Sequence, residues 1–334
     1  MLTAGRLSSE NRKIIRDAYD NAGSANDGLK VAQQLLFTTA EFHTTNPIKQ
    51  ESQSREEVIF PEPTGKPYKA IVYVMFSGGT DSYNMLIPHT CEQKDMYQEY
   101  FDVRLNVALP KADILQIDTD NQICETFGLH PDLSEIQKLY NAKDLLFFAN
   151  TGVMTQPVNK QNYNYLTKTR LFAHNHMQEE SKRLDPNEII GGTGVVGRIA
   201  DALAGKGHNS GFFSVDRFSV ALVGRPGVNK APMIVNRNGM TEIYLDDKME
   251  KLMLKLHNET SIDSGFFAEA WSSSLIQSLG INKFLLSYLK DASTHINFPT
   301  SYLSQQFETV AKLIATRVAR GVDTDTFYIE IGGE

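Results

Sequence analysis

The sequence predicts an α/β fold with a mostly parallel central sheet, and two observations support this class. Residues 69–76, Lys-Ala-Ile-Val-Tyr-Val-Met-Phe, form an almost continuous apolar and β-branched run, which is typical of a strand buried on both faces. Segments with a helical spacing of apolar residues then alternate with further short apolar runs. In such sheets ligands bind beyond the carboxyl ends of the strands, so the residues that directly follow a strand are the first site candidates.

The remaining elements are predicted in chain order. Two amphipathic helices, one beginning at Ser8 and one over residues 27–42, precede a polar, proline-rich linker at residues 44–66. The other predicted strands are at residues 114–117, 144–150, 218–223 and 326–331. The predicted helices are at residues 93–101, 132–141, 163–181, 195–204, 246–257, 264–290 and 301–320. Residues 1–43 are therefore either the helical tail of a preceding domain or a hairpin packed on the α/β domain at residues 67–334.

Composition and charge argue against several classes of protein. The 334 residues carry 33 Lys and Arg against 40 Asp and Glu, a net charge of −7, and no basic run indicates a nucleic-acid-binding surface. No stretch approaches the ~18 consecutive apolar residues of a membrane span. The two cysteines, Cys91 and Cys124, are too few for a disulfide framework or a cysteine-type zinc site. The N-terminus lacks the apolar core of a signal peptide.

The first chemical candidate directly follows the first predicted strand. Residues 77–84 are Ser-Gly-Gly-Thr-Asp-Ser-Tyr-Asn, and the paired glycines allow a tight turn and close approach of a ligand to the backbone. Asp81 can bind a divalent metal ion there, and the hydroxyl of Ser82 or Thr80 becomes a nucleophile once a metal lowers its pKa. The alternative is a structural turn in which Asp81 caps the next helix.

The second candidate is His174-Asn175-His176. On a strand the two imidazole rings share a face and can chelate one ion, whereas on a helix they point about 200° apart. The helix predicted through this segment favours the second geometry and puts His174 on one face with Arg170 and Gln178. Arg170 then binds an oxyanion and His174 transfers a proton. The alternative is a solvated polar face.

A glycine-rich segment at residues 192–197, Gly-Thr-Gly-Val-Val-Gly, matches the pattern of dinucleotide-binding loops. Such a loop needs a buried strand directly before it, and only Ile189 and Ile190 precede this one. A nicotinamide-dependent oxidoreductase is therefore disfavoured.

Several segments, taken in order, resemble landmarks of the family called domain of unknown function 1501. They are residues 76–84 with Pro88, 127–131, 139–140, 173–178 and 194–198. The resemblance spans about Pro67 to Glu334, and residues 1 to about 42 resemble the end of the family called domain of unknown function 1800. It implies a three-layer sandwich of the alkaline-phosphatase and sulfatase type, whose members mostly use divalent metals to cleave phosphate or sulfate esters.

Carried over residue by residue, the resemblance implies that Asp81 is a metal ligand with Asn84 close by, and that His174 and Gln178 lie on the active-site helix. His176 stands where the family often has aspartate, and we take it as the third candidate ligand.

The chain departs from the family in two places. The residue before the histidine is usually serine and is here Ala173, and the second departure is at the last strand. The family continues that strand into Gly-Gly-Phe-Asp-Thr-His, whose Asp and His look like metal ligands, whereas this chain ends at Glu334. The α/β domain is thus expected to be incomplete at its C-terminus.

The resulting expectation is a metal-dependent hydrolase of small phosphate or sulfate esters, with a divalent ion of unknown identity as cofactor. The catalytic candidates are His174, Ser82 and Arg170, and the metal-ligand candidates are Asp81, Asn84 and His176. Hydrolytic metal sites need about three or four protein ligands, so we expect little activity from this chain itself. The alternative is a non-catalytic binding or assembly protein that retains the fold. The resemblance suggests export, although this N-terminus carries no export signal.

Overall fold

The structure has mixed α/β character, with a four-strand parallel sheet and a three-strand antiparallel sheet, which confirms the predicted α/β class. It is a computed structural model that describes residues 2–45, 61–185, 192–226, 232–240, 243, 245–257 and 266–332. Its strands are β1 (Lys69–Phe76), β2 (Leu86–Thr90), β3 (Leu115–Asp118), β4 (Thr126–Leu129), β5 (Ser210–Val215), β6 (Met233–Val235) and β7 (Thr324–Ile331). Its α-helices are α1 (Ser9–Asp20), α2 (Ala25–Thr38), α3 (Ala40–His43), α4 (Met96–Arg104), α5 (Ser134–Asn141), α6 (Tyr163–Leu166), α7 (His174–Lys182), α8 (Val195–Ala204), α9 (Asp247–His257), α10 (Phe266–Leu289) and α11 (Tyr302–Ala315). Among these helices, none is long and apolar enough to cross a membrane.

The chain divides into two compact units. The first unit comprises Met1–Val72, Ile199–Phe218 and Pro226–Ile329, and the second comprises Tyr73–Arg198, Ser219–Arg225 and Glu330–Glu334. The domain boundaries drawn from the sequence stay predictions. Residues 46–60 of the predicted linker lie outside the described residues, as do Ile189, Ile190, Gly333 and Glu334.

Helix α1 begins at the predicted cap Ser8, whereas the helix predicted over residues 27–42 begins earlier, after Ser24, and is divided at Thr39 into α2 and α3. Ser8 and Ser24 accept hydrogen bonds from the backbone N–H groups three residues later, at 3.1 and 3.2 Å, and so cap α1 and α2. Both helices pack on α9. Their shared core consists of Ala18, Leu35, Met253 and Leu256. Burial of these apolar side chains holds the short helices in place.

The parallel sheet has the strand order β1-β7-β5-β6. Strand β7 is an inner strand, and it is buried from Thr324 to Glu330. Phe327 of β7 is paired with Phe213 of β5, and their rings stack with centroids 5.6 Å apart. Both faces of β7 are covered, yet the strand is not a continuous apolar run, since its buried residues include Thr324, Asp325, Thr326 and Glu330. The prediction that β1 is buried on both faces is wrong, because β1 lies at the edge of this sheet and its residues are exposed or half-buried.

The antiparallel sheet of the second unit has the order β2-β4-β3. Pro88 is tolerated in β2 because an edge strand does not need every backbone donor. Cys91, directly after β2, forms a disulfide with Cys124, directly before β4. Helix α4 packs on β2, and Ile87 and Tyr97 belong to their common core.

Two predicted strands are wrong. Residues 144–150 have no regular secondary structure, and Leu146 and Phe148 are exposed, so this apolar run has no sheet to join. The run at residues 218–223, which is buried only from Ser219 to Leu222, contains a 3-10 turn, Val220–Leu222, whose entry is fixed by a hydrogen bond from Ala221 N to Ser219 Oγ at 3.2 Å. Apolar composition without a clear period does not separate a buried strand from a buried turn.

The single helix predicted at residues 163–181 is also wrong, because it is interrupted. Helix α6 ends at Leu166, and the hydroxyl of Thr167 donates to Tyr163 O at 2.6 Å at this end. Helix α7 begins only at His174. Arg170 lies between the two helices, so it does not share a helical face with His174 and Gln178.

Candidate active site

A cleft of about 700 Å³ in the second unit lies at the carboxyl end of β1. One wall is formed by the end of β1 and the loop after it, including Ser77, Gly78 and Ser82. The other wall is formed by α7 and the residues that lead into it, including His174 and Gln178. The two motifs selected from the sequence, residues 77–84 and 173–178, therefore meet at a single cleft.

The paired glycines shape the first wall. Gly78 and Gly79 have φ values of 139° and 69°, which L side chains rarely adopt. A Cβ atom at Gly78 would stand 3.5 Å from His174 Nδ1 and 3.7 Å from Gln178 Nε2. The space at Gly78 would thus accept a methyl group in ordinary contact with α7, but the backbone conformation favours glycine.

Several hydrogen bonds and an ion pair fix α7 beside the strand ends. Gln178 Nε2 donates to Ser77 O, and Tyr73 OH donates to Ser181 O at 3.1 Å. Burial raises the pKa of Tyr73, which keeps this hydroxyl protonated and able to donate. Lys182 Nζ lies 3.6 Å from Glu330 Oε2 at the end of β7, and both side chains are buried. The second wall of the cleft is therefore held in a defined position.

The amino end of α7 faces the cleft through its first residue, His174. The preceding residue, Ala173, provides no side-chain capping hydrogen bond. The first N–H groups of a helix have no acceptor within the helix and carry a partial positive charge. Such an end favours an anion, and His174, whose side chain is exposed, adds a group that can bind or transfer a proton.

Asp81 occupies the turn after β1 but is engaged by a cation of the protein. Its Oδ2 forms an ion pair with Arg104 Nη2 at the end of α4. Asp81 also precedes the 3-10 turn Ser82–Asn84 without making a side-chain capping hydrogen bond, so the cap proposed as its structural role is not formed. The carboxylate is thus committed to Arg104 in this structure.

The other predicted ligands are placed apart from one another. Asn84 Oδ1 accepts from Tyr100 OH at 2.5 Å, and Asn84 Nδ2 donates to Val107 O at 3.0 Å. His176 is half-buried on α7. Arg170 lines a separate cleft of about 420 Å³ in the segment that leads into α7.

These donors do not fit a preformed metal centre. Within the described ranges, no three His, Cys, Asp or Glu side chains lie close enough together to hold an ion. The carboxylate of Asp81 and the amide oxygen of Asn84 are both occupied by neighbouring donors. The metal-binding and catalytic roles assigned from the sequence stay predictions.

Sequence reasoning missed Arg104 and the aromatic lining of the cleft. Arg104 is the last residue of α4, and nothing in its spacing connects it with Asp81. Phe76 and Phe172 line the cleft and are exposed to solvent. Their position in the sequence could have identified them, because Phe76 directly precedes the motif at residues 77–84 and Phe172 directly precedes the motif at residues 173–178.

The arrangement can bind a small anion between a helix end and a glycine turn, next to an imidazole and a hydroxyl. These residues carry the inference of function because the chain matches no protein-family model, no curated protein and no solved structure.

Proposed function

We propose that the cleft binds a small phosphate or sulfate ester and that the protein is a hydrolase of such esters. The observation that carries the proposal is the contact between Gln178 and Ser77, which brings the two motifs, about 100 residues apart, to one cleft. We also propose that the chain has the three-layer sandwich fold of the phosphatase and sulfatase type, and the four-strand parallel sheet supports this proposal.

The binding step uses the amino end of α7 and the turn at Gly78 and Gly79. The amino end of α7 has no side-chain cap, and its N–H groups favour an oxyanion. The backbone of Gly78 and Gly79 allows an anion to approach closely because no Cβ covers it. Arg170 lines a separate cleft, so this binding step does not use its predicted role as an oxyanion-binding group.

Hydrolysis breaks the bond between phosphorus or sulfur and the ester oxygen, and the leaving oxygen must gain a proton. We assign that proton to His174, whose imidazole lies on the cleft wall. Ser82 lines the same cleft and is the candidate nucleophile: its hydroxyl loses its proton to solvent, its Oγ bonds to phosphorus or sulfur as the alcohol leaves, and water then cleaves this covalent ester, which releases the inorganic anion and restores the hydroxyl. The predicted dependence on a divalent metal ion remains part of the proposal. The assay tests it separately, by adding or chelating metal ions.

The test compares hydrolysis and binding in the 334-residue chain. Turnover of 4-nitrophenyl phosphate and 4-nitrophenyl sulfate is measured with a chelator and with added Mg²⁺, Mn²⁺ or Zn²⁺. Calorimetric titration with inorganic phosphate and sulfate measures the binding step alone. We expect low turnover from this chain, and His174→Gln should lower its kcat/KM by about 10²- to 10⁴-fold, the usual contribution of a general acid. The matched control is His295→Gln, an exposed histidine of the first unit, which should change nothing.

The outcomes separate the two candidate functions. Turnover that depends on His174 and Ser82 supports the hydrolase. Binding of phosphate or sulfate that His174→Gln weakens, without turnover under any metal, supports the non-catalytic binding protein. The engagement of Asp81 by Arg104 and of Asn84 by Tyr100 is the observation that favours this second function. If the chain neither binds phosphate or sulfate nor hydrolyses either ester, both candidate functions are rejected.

A further inference from the structure

A second concavity of the second unit lies beside the cleft and differs from it in chemistry. This groove has a volume of about 520 Å³, which is in the range of small-molecule sites. Its lining is mainly apolar and includes Tyr83, Leu86, Val103, Tyr100 and Val107. Tyr83 and Val103 are 71% and 75% exposed, an unusual exposure for large apolar side chains that share one patch.

The groove and the cleft share one short turn of the chain. Ser82 lines the cleft and Tyr83 lines the groove, and both belong to the 3-10 turn Ser82–Asn84. The linings of the two sites therefore meet at consecutive residues, whose Cα atoms are about 3.8 Å apart. The guanidinium of Arg104 lies 5.8 Å from the centroid of the Tyr83 ring and pairs with Asp81, which leaves a cation at the boundary of the two sites.

The walls of the groove are fixed by hydrogen bonds. Tyr100 OH donates to Asn84 Oδ1 at 2.5 Å and accepts from Leu109 N at 2.8 Å. Asn84 Nδ2 donates to Val107 O at 3.0 Å and so joins the turn to the segment after α4. Asn84, selected from the sequence as a metal ligand, therefore stabilises the wall of the groove through its two hydrogen bonds. A preformed apolar site binds without the entropic cost of ordering its walls.

We propose that this groove binds the apolar, aromatic alcohol portion of the ester whose anionic group occupies the cleft. The proposal rests on the proposed function for the cleft and narrows its substrate class to esters of aromatic or comparably apolar alcohols. The apolar lining matches such a ring, and the Tyr83 side chain offers it an aromatic face. The linings of groove and cleft meet at Ser82 and Tyr83, as a substrate that occupies both sites requires.

The test uses three probes, namely 2-naphthyl phosphate, 2-naphthol and inorganic phosphate, in calorimetric titrations of the 334-residue chain. We expect 2-naphthyl phosphate to bind at least about tenfold more tightly than inorganic phosphate, which corresponds to about 1.4 kcal/mol. The double variant Tyr83→Ser, Val103→Gln should remove this preference and leave phosphate binding unchanged. Tyr83→Phe should keep it, because the ring remains. Val318→Gln, which replaces a valine that is 66% exposed in the first unit, is the matched control.

Equal affinity for 2-naphthyl phosphate and phosphate, or a preference that survives the double variant, would overturn the proposal. If the proposed function of the cleft is wrong, the three probes give a different pattern of binding. In that case phosphate does not bind, whereas 2-naphthol still binds and loses affinity in Tyr83→Ser. If the groove assignment alone is wrong, phosphate binding depends on His174 and 2-naphthol does not bind. Circular dichroism of each variant checks that these exposed substitutions leave the fold intact.

Discussion

Replacing Lys182 by methionine should loosen the helix that carries His174. Lys182 Nζ lies 3.6 Å from Glu330 Oε2 and 3.3 Å from Glu179 Oε1. Lys182 and Glu330 are only 5% and 7% exposed, whereas the Glu179 side chain is half-exposed. At 3.6 Å and an effective dielectric constant of about 20, the attraction between Lys182 and Glu330 is about 4.6 kcal/mol. The half-exposed Glu179 pair adds about 1 kcal/mol at most.

The net loss is smaller than the Coulomb attraction because the variant no longer buries the ammonium group. Breaking a buried pair typically costs about 3–5 kcal/mol, and the long 3.6 Å separation places this one at the lower end. We therefore expect Lys182→Met to lower the free energy of unfolding by about 2–4 kcal/mol, a large share of the ~5–15 kcal/mol of a typical domain. Urea unfolding followed by far-ultraviolet circular dichroism measures this loss.

Two controls identify the cause of the loss. Glu179→Gln removes only the half-exposed partner and should cost less than about 1 kcal/mol. The double variant Lys182→Met, Glu330→Met removes both buried charges and should recover much of the stability. A loss below about 1 kcal/mol in Lys182→Met, or a double variant no more stable than the single one, would show that this pair does not anchor α7.

Two further predictions concern Asp81 and Asp323. Arg104→Gln removes the cation that occupies Asp81, so the affinity for Mn²⁺, followed by electron paramagnetic resonance, should rise about fivefold or more, or about 1 kcal/mol. Adding Asp81→Asn should abolish the gain, and an unchanged affinity in Arg104→Gln would exclude Asp81 as a ligand. Burial raises the pKa of Asp323, but hydrogen bonds from Thr64 Oγ1 at 2.6 Å and Asn209 N at 2.9 Å outweigh it and leave the pKa below its ordinary value. Since the folded-state pKa is the lower one, the carboxylate stabilises the fold above the unfolded pKa of about 3.9 and loses this effect as pH falls through the folded value. Asp323→Asn should cost about 1–2 kcal/mol at pH 7 and almost nothing in acid, as measured by urea unfolding across pH; a cost independent of pH would contradict this account.

The elements that sequence patterns predicted well are those whose signals are local. Helix α8 matches its predicted span, residues 195–204, because its apolar period is uninterrupted. Strands β1 and β7 were found because each contains a run of β-branched and aromatic residues, although only β7 is the inner, buried strand and β1 lies at the edge of the described sheet. Strand β5 was missed, since its first residues, Ser210 and Gly211, continue a glycine- and serine-containing segment that is typical of a loop. Its burial depends on pairing with β7, which is more than 100 residues away.

The position of the candidate site was more predictable than the role of each residue in it. The rule that ligands bind beyond the carboxyl ends of parallel strands selected the turn at residues 77–84, and the structure has a cleft there. Asp81 and Asn84 were selected because their side chains can bind a metal ion. Whether such a group is available depends on its neighbours in the fold, and here Arg104 and Tyr100 engage the two side chains.

The partner of Asp81 shows why this information is absent from local patterns. Arg104 follows Asp81 by 23 residues, and no helical or strand period relates two positions so far apart. The ion pair exists because α4 packs on β2, which brings the end of the helix back to the turn that precedes the strand. A substitution in the core of α4, such as one at Tyr97, would therefore disturb the pairing of Arg104 with Asp81 without changing any residue of the motif. The residue types of a motif thus specify which chemistry is possible, and the packing of distant helices decides which groups are free to perform it.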